Sequence, residues 1–385
     1  MKYLDSIDVE NKKVALRIDV NLPFDDNGEC LNFTGLYRRI APSFNYLRSK
    51  QSSIILLASH QSKKSLLQLS KKIAEHFKVE IDFANSLDEA KQKVSQLQSG
   101  NVLMLENLAI LNDEQKCDKV FANKLIELCD IYVVDSFSET ILPLTSTTTA
   151  LSISKNSCTG LLIKKELEYY DKSVLNPKRP FCVIVGGAKA APKIEILRYM
   201  VQKADVVLVG GAIANSFLAV QGTQMGRSLI EKELFPKIME FIALLARRDC
   251  KSYFPVDFRI GDSVRTHGMA RAVTAQDIPA DSMVLDIGPA TSILFEEAIT
   301  RAETILWNGP MGTLENEDYA QGTTQLVQSL AAAHGLTVAG GVATEVAVHN
   351  MELEHRFDHL STGGQAFLDM IQGHKLPGLI ALGYK

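Results

Sequence analysis

Two lysines four residues apart follow a glycine pair in the segment GGAKAAPKI, at residues 186–194. Lys189 and Lys193 come just after the apolar run FCVIV at 181–185, which has the composition of a buried strand. The positive end of a helix disfavours lysine, so two lysines that open a helix after a glycine turn indicate an anionic ligand. At this spacing both ammonium groups could face the same phosphates.

Glycine follows five apolar runs in the C-terminal half. In an open parallel sheet, ligands bind beyond the carboxyl ends of the strands, where glycine lets backbone N–H groups approach a phosphate. Tight strand-to-helix turns also use glycine, but the repetition favours a nucleotide or another phosphorylated ligand. The sequence contains neither G-x-x-x-x-G-K-[ST] nor G-x-G-x-x-G, which excludes a Walker-type loop and a dinucleotide fingerprint. The glycines are Gly186, Gly187, Gly210, Gly211, Gly288, Gly309, Gly340 and Gly341.

Short apolar runs alternate with amphipathic stretches along the whole chain. The runs show no polar–apolar alternation, which predicts strands buried on both faces in parallel sheets covered by helices. The resulting expectation is an α/β fold of two Rossmann-like domains, each a parallel β-sheet flanked by helices. The predicted strands lie at 14–18, 53–58, 101–106, 131–135, 181–185, 206–210, 283–287, 304–308 and 336–340, and clear helical stretches lie at 65–77, 119–129 and 323–334.

The chain has 385 residues, a length that favours two domains. The helical stretch LLIKKELEYYDKSVL is followed by the segment NPKRP, whose two prolines stop the helix. We therefore predict an N-terminal domain over 1–160, a connecting helix and hinge over 161–178, and a C-terminal domain from 179 to 370.

Composition excludes several classes of protein. Hydrophobic residues make up 46% and charged residues 22%, as in ordinary globular proteins and unlike disordered or fibrous ones. The net charge of −4 argues against a general nucleic-acid binder. No apolar run is long enough to cross a membrane, and the N-terminus lacks the apolar stretch of a signal peptide. The cysteines form no C-x-x-C pair, which predicts reduced core thiols of a cytoplasmic protein and no metal site; they are at positions 30, 117, 129, 158, 182 and 250.

Ten segments, in the same order along the chain, resemble the phosphoglycerate kinase family essentially from end to end. Several of them are highly specific to that family. They are RIDVNLP (17–23), SH (59–60), LENL (105–108), YVVDSF (132–137), GGAKAAPKI (186–194), KADVVLVGGAIANSFL (203–218), DIGPAT (286–291), ILWNGPMGTLE (305–315), AGG (339–341) and STGG (361–364).

The resemblance implies an activity and a division of labour between the domains. The N-terminal domain would bind 3-phosphoglycerate and the C-terminal domain MgADP or MgATP, with hinge closure bringing them together. The tail at 371–385 would return to the N-terminal domain. The implied reaction is the reversible glycolytic transfer of a phosphoryl group between ATP/ADP and 3-phosphoglycerate/1,3-bisphosphoglycerate. The resemblance also implies a cytoplasmic monomer.

The resemblance also implies roles for individual residues. Lys189 matches the lysine that follows the transferring phosphoryl group. Leu36 stands where the family has a catalytic arginine, and Arg38, two positions on, is its candidate replacement. The substrate-binding candidates are Arg17, Asp19, Asn21, His60 and Lys63, and the nucleotide-binding candidates are Gly187, Lys193, Gly210, Gly211, Asn308, Pro310, Glu315, Gly340, Gly341 and Thr344.

The chain departs from the family pattern mostly at charged positions of the substrate site. Besides Leu36, Ala109 stands in place of an arginine, and Lys63 in place of another. The family segment D-A-F-G-T-A-H-R-A-H becomes DSFSETILPL, so Ile141, Leu142 and Leu144 replace His, Arg and His. Each lost arginine–phosphate contact removes roughly 1.5–3 kcal/mol of binding free energy in a desolvated site.

The nucleotide side departs at the metal position. The family segment G-G-G-D-T becomes GGVAT, with Ala343 where the aspartate that holds the metal should be and Val342 in place of a glycine. Pro192 replaces an aspartate between the two lysines. We therefore expect Mg²⁺ to be held through the nucleotide phosphates, with no protein ligand.

Three functional hypotheses remain open. The first is phosphoglycerate kinase activity, impaired by the missing arginines or sustained by Arg38, Arg39 and Lys63. The second is a phosphotransferase with a less anionic acceptor. The third is a catalytically inactive nucleotide-binding protein.

Overall fold

The structure, a computed structural model, describes residues 1–22, 33–110, 114–265, 267–268 and 270–384. Pro23 and Cys30, which entered the sequence analysis, lie outside these residues. The chain divides into two units: unit 1 is Met1–Glu168 with Lys375–Lys385, and unit 2 is Tyr169–His374.

A six-stranded sheet, parallel throughout, is the centre of unit 1. Its buried strands and the apolar face of the first helix form one core. The strands are β1 (Lys13–Ile18), β2 (Ser53–Leu57), β3 (Ile81–Ala84), β4 (Val102–Leu105), β5 (Ile131–Asp135) and β6 (Ser157–Thr159), in the order β3-β4-β2-β1-β5-β6. The helices are α1 (Phe33–Ser49), α2 (Leu67–Phe77), α3 (Leu87–Gln96), α4 (Lys119–Ile126), α5 (Ala150–Ile153), α6 (Leu161–Tyr170), which runs into unit 2, and, near the chain's end, α14 (Pro377–Ala381).

The carboxyl ends of two neighbouring strands of unit 1 lead into segments that carry polar side chains. Asp19 follows β1, and Ser136 follows β5, its parallel neighbour. After β5 the chain forms a 3₁₀ turn at Ser138–Ile141 and a π-helical turn at Thr145–Thr149. A further 3₁₀ turn, Glu114–Lys116, packs near the second of these.

Unit 2 contains a second six-stranded parallel sheet. Its strands are β7 (Phe181–Val185), β8 (Val206–Val209), β9 (Lys251–Tyr253), β13 (Thr304–Asn308), β14 (Leu336–Gly340) and β15 (His359–Ser361), in the order β15-β14-β13-β7-β8-β9. Its remaining helices are α7 (Ala190–Met200), α8 (Gly211–Val220), α9 (Phe235–Leu245), α10 (Pro289–Thr300), α11 (Gln321–Ala332), α12 (Val342–His349) and α13 (Gln365–Ile371).

Every predicted strand is present, so the predicted α/β class with two parallel sheets is confirmed, but one strand belongs to a different sheet. The run at 283–287 forms β12 (Met283–Ile287), which pairs antiparallel with β10 (Asp257–Gly261). With β11 (Arg271–Thr274) they make a three-stranded antiparallel sheet and a small core of their own. Gly288 therefore follows an antiparallel strand. A run without polar–apolar alternation indicates a strand that is buried on both faces, but burial does not distinguish parallel from antiparallel pairing.

The segment between the two sheets is helical, as its pattern predicts. Helix α6 continues as a π-helical segment, Asp171–Leu175, which ends before Asn176 and the first proline. Within the described ranges, none of the helices combines the length and apolar character that crossing a bilayer requires.

The five described cysteines are free thiols. Cys158 and Cys182 are buried, whereas the other three are only half-buried, so the prediction of core thiols is correct for two of them; the half-buried ones are Cys117, Cys129 and Cys250.

Candidate functional site

A cavity of about 980 Å³ lies in unit 2, where the segments after β7, β13 and β14 meet. We call it the unit 2 cavity. Of the nucleotide-binding candidates, it is lined by Gly187, Lys193, Gly211, Asn308, Pro310, Glu315, Gly341 and Thr344, and Lys189 lines it as well. Gly210 and Gly340 are buried and are not part of the lining.

The glycines at this edge allow the backbones of neighbouring strand ends to pack closely. Gly187 donates its N–H to the Pro310 carbonyl at 2.8 Å, and Gly211 donates to the Met311 carbonyl at 3.1 Å. A Cβ on Gly211, whose φ is +61°, would lie 2.5 Å from the Gly187 nitrogen. Gly309 donates to the Thr344 hydroxyl at 2.8 Å. These three N–H groups already have partners inside the protein, and close packing of backbones accounts for the glycines; nucleotide binding at these positions stays a prediction.

Lys193 is the best-positioned cation of the unit 2 cavity. Its ammonium donates a hydrogen bond to Oδ1 of Asn308, whose Nδ2 donates to the Gly340 carbonyl at 2.6 Å. Burial lowers the pKa of Lys193 to about 8. A cation held in place by a neutral amide and desolvated in this way is suited to an anionic ligand.

Lys189 lies at the N-cap position of α7 and is exposed to solvent. The first N–H of this helix, from Ala190, donates to the Glu231 carboxylate at 2.5 Å. That carboxylate occupies the first N–H of the helix, so positive charge near this helix N-terminus comes from the ammonium groups of Lys189 and Lys193.

Apolar side chains stand where the family pattern would carry the metal ligand. Helix α12 begins at Val342, which is 72% exposed and lines the unit 2 cavity together with Ala343. The described carboxylates in the lining are Asp286 and Glu315. Asp286 accepts N–H groups from Gly322 and Ile287, and its burial raises its pKa to about 7. Among the described residues, no group of three His, Cys, Asp or Glu side chains could hold a metal ion.

A second cavity, of about 330 Å³, lies in unit 1 beyond the ends of β1 and β5. We call it the unit 1 cavity. Its described lining consists of Asn21, Ser59, Gln61, Lys63, Ala109, Glu114, Gln115, Ser138, Glu139, Ile141, Leu142 and Leu144. It thus brings together two of the five substrate-binding candidates, Asn21 and Lys63, with four positions where the chain departs from the family: Ala109, Ile141, Leu142 and Leu144.

Arg17 is fully buried and forms ion pairs within the protein. Its NH2 nitrogen lies 2.7 Å from Glu139 and 3.8 Å from Glu114, and its Nε donates to Ser146 at 2.9 Å. Burial alone would lower the pKa of this guanidinium, but the two carboxylates reverse the effect and raise it. Its charge is neutralised before any substrate arrives.

Asp19 pairs with Arg39, which the sequence analysis gave only a minor part. The NH1 nitrogen of Arg39 lies 2.9 Å from Asp19 Oδ1 and 3.3 Å from the Asn21 carbonyl. Arg39 shares the buried face of α1 with Leu36, whereas Arg38 lies on the exposed face. Arg38 is not in the described lining of the unit 1 cavity, and its catalytic role stays a prediction; the guanidinium that contacts Asp19 and Asn21 belongs to Arg39.

His60 is held by its neighbours. Its Nε2 is 3.0 Å from the Leu22 carbonyl and its Nδ1 is 2.7 Å from the Ser62 hydroxyl. Burial lowers the pKa of the imidazole, and the nearby Lys64 adds to the shift, against the opposing effect of the Leu22 carbonyl. A neutral imidazole adds no positive charge to this part of unit 1.

The unit 1 cavity has little positive charge for an anionic substrate. Lys63 is the one cation in its described lining, beside Glu114 and Glu139. The residues outside the described ranges in this half of the chain, 23–32 and 111–113, include no lysine or arginine in their sequence. They cannot replace the missing arginines.

Several lining or contacting residues escaped the sequence analysis, for different reasons. Arg265 and Asp286 line the unit 2 cavity, but Arg265 lies in a loop with no motif, and Asp286 belongs to the matched segment DIGPAT without a role of its own. Glu139 lies in the altered segment DSFSET, and a carboxylate at a position where the family pattern has none could have indicated a changed substrate site. Glu114 carried no signal in the sequence.

Comparisons with known proteins agree along the whole chain. A family model described as phosphoglycerate kinase matches residues 4–374. The chain is 35% identical over 389 residues to the phosphoglycerate kinase of Aquifex aeolicus (strain VF5), covering 99% of this chain and 98% of that one. It is 36% identical over 393 residues to the phosphoglycerate kinase of Geobacter sp. (strain M21), with the same coverage.

Solved structures show the same similarity. The phosphoglycerate kinase from Coxiella burnetii has a TM-score of 0.88 and 27% identity, over 99% of this chain and 98% of that one. The phosphoglycerate kinase from Pyrococcus horikoshii OT3 has a TM-score of 0.86 and 24% identity, over 100% of this chain and 98% of that one, which shows likeness of fold.

The buried ion cluster around Arg17 gives a stability prediction. Arg17→Met leaves Glu114 and Glu139 buried without their cation, and we expect it to lower the free energy of unfolding by about 3–5 kcal/mol. Urea denaturation followed by circular dichroism measures the change. The matched variant Arg17→Met/Glu114→Gln/Glu139→Gln removes both carboxylates and should recover most of the loss. Equal stability of the single and triple variants would contradict the ion-pair account.

Proposed function

The chain belongs to the phosphoglycerate kinase family, whose enzymes transfer a phosphoryl group reversibly between ATP and 3-phosphoglycerate, and we propose that in this member the transfer to 3-phosphoglycerate is impaired. The single observation that carries the proposal is the charge of the unit 1 cavity. Its described lining offers one cation, Lys63, beside two glutamates.

A charge comparison supports the impairment. 3-Phosphoglycerate carries a carboxylate and a phosphate and is close to a trianion at neutral pH. The two further cations that contact lining residues are already paired, Arg17 with Glu139 and Glu114, and Arg39 with Asp19. Loss of an arginine that acts on the phosphoryl group in the transition state can cost about 10³–10⁵ in rate. We expect a high KM for 3-phosphoglycerate and a low turnover number together.

We further propose that unit 2 binds ATP or ADP in the unit 2 cavity and that unit 1 receives the acceptor. The support is the pair of cations, Lys189 and Lys193, at the carboxyl edge of a parallel sheet. Phosphoryl transfer needs positioning and positive charge against the oxygens in transit, and these two lysines supply that charge. The predicted domain roles, the hinge and the monomeric state remain proposals of the same kind.

Enzymes of this family use their nucleotide together with Mg²⁺, but the residues present do not fit a protein-coordinated ion. The side chains of Ala343 and Val342 carry no ligand atoms, and Asp286 is occupied by two backbone N–H groups, which leaves Glu315 as the one other carboxylate of the described lining. One carboxylate does not make a protein metal site, so a magnesium ion would be held mainly by the nucleotide phosphates and water.

A nucleotide-binding protein without turnover is the second candidate. The observation that favours it is the contrast between the cavities, because the charge for the nucleotide is kept in unit 2 while the charge for the acceptor is lost in unit 1. The rate of turnover distinguishes an impaired kinase from a nucleotide-binding protein without activity.

The first experiment is coupled turnover of ATP with 3-phosphoglycerate. We expect the wild type to show activity that is reduced by orders of magnitude against typical kinases of 1–100 per second, and that is abolished in Lys189→Ala. Activity in the usual range would contradict the impairment. A rate no higher than that of Lys189→Ala, from protein that binds ADP by calorimetry, would establish the second candidate.

The pKa of Lys193 gives a pH prediction. The ammonium form binds the anionic nucleotide, and its fraction in the unliganded protein falls as pH rises through about 8. The dissociation constant for ADP should therefore rise roughly five- to tenfold between pH 7.5 and pH 9. Lys193→Arg keeps its charge over this range and should give a nearly flat profile. The same slope in both proteins would show that Lys193 is not the titrating group.

Restoring the metal ligand gives a further prediction. Mg²⁺ lowers the dissociation constant for ADP by some factor, and in Ala343→Asp this factor should be about ten times larger than in the wild type, because the variant adds a carboxylate at the cavity wall. Calorimetry with and without Mg²⁺ measures this. Val346→Asp places the same charge one turn along α12, outside the lining, and serves as the control. An equal gain in both variants would point to a general charge effect.

A further inference from the structure

One wall of the unit 1 cavity is aliphatic. It is formed by Ile141, Leu142 and Leu144, which follow the end of β5. The side chain of Leu142 is 42% exposed and lies beside Ile141 and Leu144 in the lining, so it presents apolar surface to whatever fills the cavity. A ligand with an aliphatic part would remove this surface from water, whereas a phosphate would gain nothing from it.

The charge of the same cavity matches a single anionic group. Lys63 lines the cavity, and its ammonium has no ion-pair partner among the described residues. The other nearby charges are already paired with one another: Arg17 with Glu114 and Glu139, and Arg39, which contacts the Asn21 carbonyl, with Asp19. A monoanion pairs with Lys63, but a trianion leaves most of its charge unpaired beside two glutamates.

Two oxygen atoms beside the cavity lack hydrogen bonds. Oε2 of Glu139 contacts both Arg17 and Ser136, while Oε1 accepts no hydrogen bond from the described residues. The hydroxyl of Ser138 is buried, with the residue 6% exposed, and has no partner either. The Glu139 side chain is 12% exposed, so its Oε1 is open to a hydrogen-bond donor in the cavity. Buried polar groups are normally satisfied, so the unpartnered Ser138 hydroxyl beside it indicates a ligand with a hydroxyl group.

From these three observations we propose that the unit 1 cavity selects an aliphatic 2-hydroxy carboxylic acid that carries one negative charge, and that this acid is the preferred phosphoryl acceptor. Lys63 pairs with the carboxylate, Oε1 of Glu139 accepts the hydroxyl hydrogen, and Leu142 packs on the aliphatic chain. The proposal deepens the proposed function, because the transfer step relies on the nucleotide bound by unit 2.

The chemical step balances without any further reactant. A carboxylate oxygen of the acid attacks the γ-phosphorus of ATP, the bond from that phosphorus to the β,γ-bridging oxygen breaks, and ADP leaves. The products are an acyl phosphate and ADP. No atom changes oxidation state, and no proton is gained or lost when all groups are ionised.

Binding to the protein without nucleotide is the first test, so that its result does not depend on unit 2. The probes are 2-hydroxy-4-methylpentanoate, glycerate and 3-phosphoglycerate, each titrated by calorimetry against the full chain. We expect the aliphatic acid to bind at least about tenfold more tightly than either of the others. The proposal is overturned if 3-phosphoglycerate binds as tightly as the aliphatic acid, or if no acid binds at all.

A charge-restoring variant tests where the selection takes place. Leu142→Arg should weaken binding of the aliphatic acid and strengthen binding of 3-phosphoglycerate by about tenfold or more. The control Val120→Arg adds the same charge at a 66% exposed aliphatic position of unit 1 outside the cavity lining and should change neither. Equal effects of the two variants would overturn the assignment to this cavity.

Turnover completes the test. Incubation with ATP and hydroxylamine converts an acyl phosphate to a hydroxamate, which is measured together with ADP. We expect more hydroxamate from 2-hydroxy-4-methylpentanoate than from 3-phosphoglycerate, and the opposite order in Leu142→Arg. Tight binding of the aliphatic acid and of ADP without hydroxamate would overturn the acceptor role. Failure of ADP to bind, with the acid still bound selectively, would overturn both the acceptor role and the nucleotide proposal while leaving the ligand assignment supported.

Discussion

The ion cluster around the buried guanidinium of Arg17 is the interaction on which the polar edge of the unit 1 sheet depends. Arg17 sits on the central strand β1 and reaches carboxylates from two different turns, Glu114 and Glu139. Moving these three charges out of water is costly, and the ion pairs together with the hydrogen bonds of Ser146 to Arg17 and Glu114 offset that cost. The same ion cluster has two effects. It fixes the turns that carry Glu114 and Glu139, and it pairs the positive charge of Arg17, which a phosphorylated substrate would need.

In unit 2 the corresponding constraint is steric. Three strand ends approach so closely that the backbone N–H groups of Gly187, Gly211 and Gly309 find their partners in the neighbouring segments. This packing holds Asn308 in place, and Asn308 in turn holds Lys193. The cation is therefore positioned by backbone contacts that a Cβ would disrupt, which ties the glycines to ligand binding indirectly.

The sequence predicts the strands well because long unbroken apolar runs occur only where both faces are covered. It predicts Lys193 for a similar reason, since a lysine opening a helix after a glycine turn has few structural explanations. Alignment could not place Arg39 beside Asp19, although helical periodicity was informative: residues 36, 40, 43 and 47 form the buried stripe of α1, and position 39 falls within it while 38 does not. The pairing of Arg17 with Glu114 joins residues about a hundred positions apart, and no local sequence pattern predicts such a contact.

The two cavities show that the departures from the family pattern do not act alike. In unit 2 the change from aspartate to Ala343 removes a metal ligand but leaves both lysines, so an anion can still be held. In unit 1 the losses at Ala109 and Leu142 coincide with a new carboxylate at Glu139, which adds negative charge where positive charge has disappeared. Random loss of arginines would leave an open, water-filled cleft. Here aliphatic side chains and an acceptor oxygen form a lining with its own chemistry, and that combination favours a different small acid over an empty site.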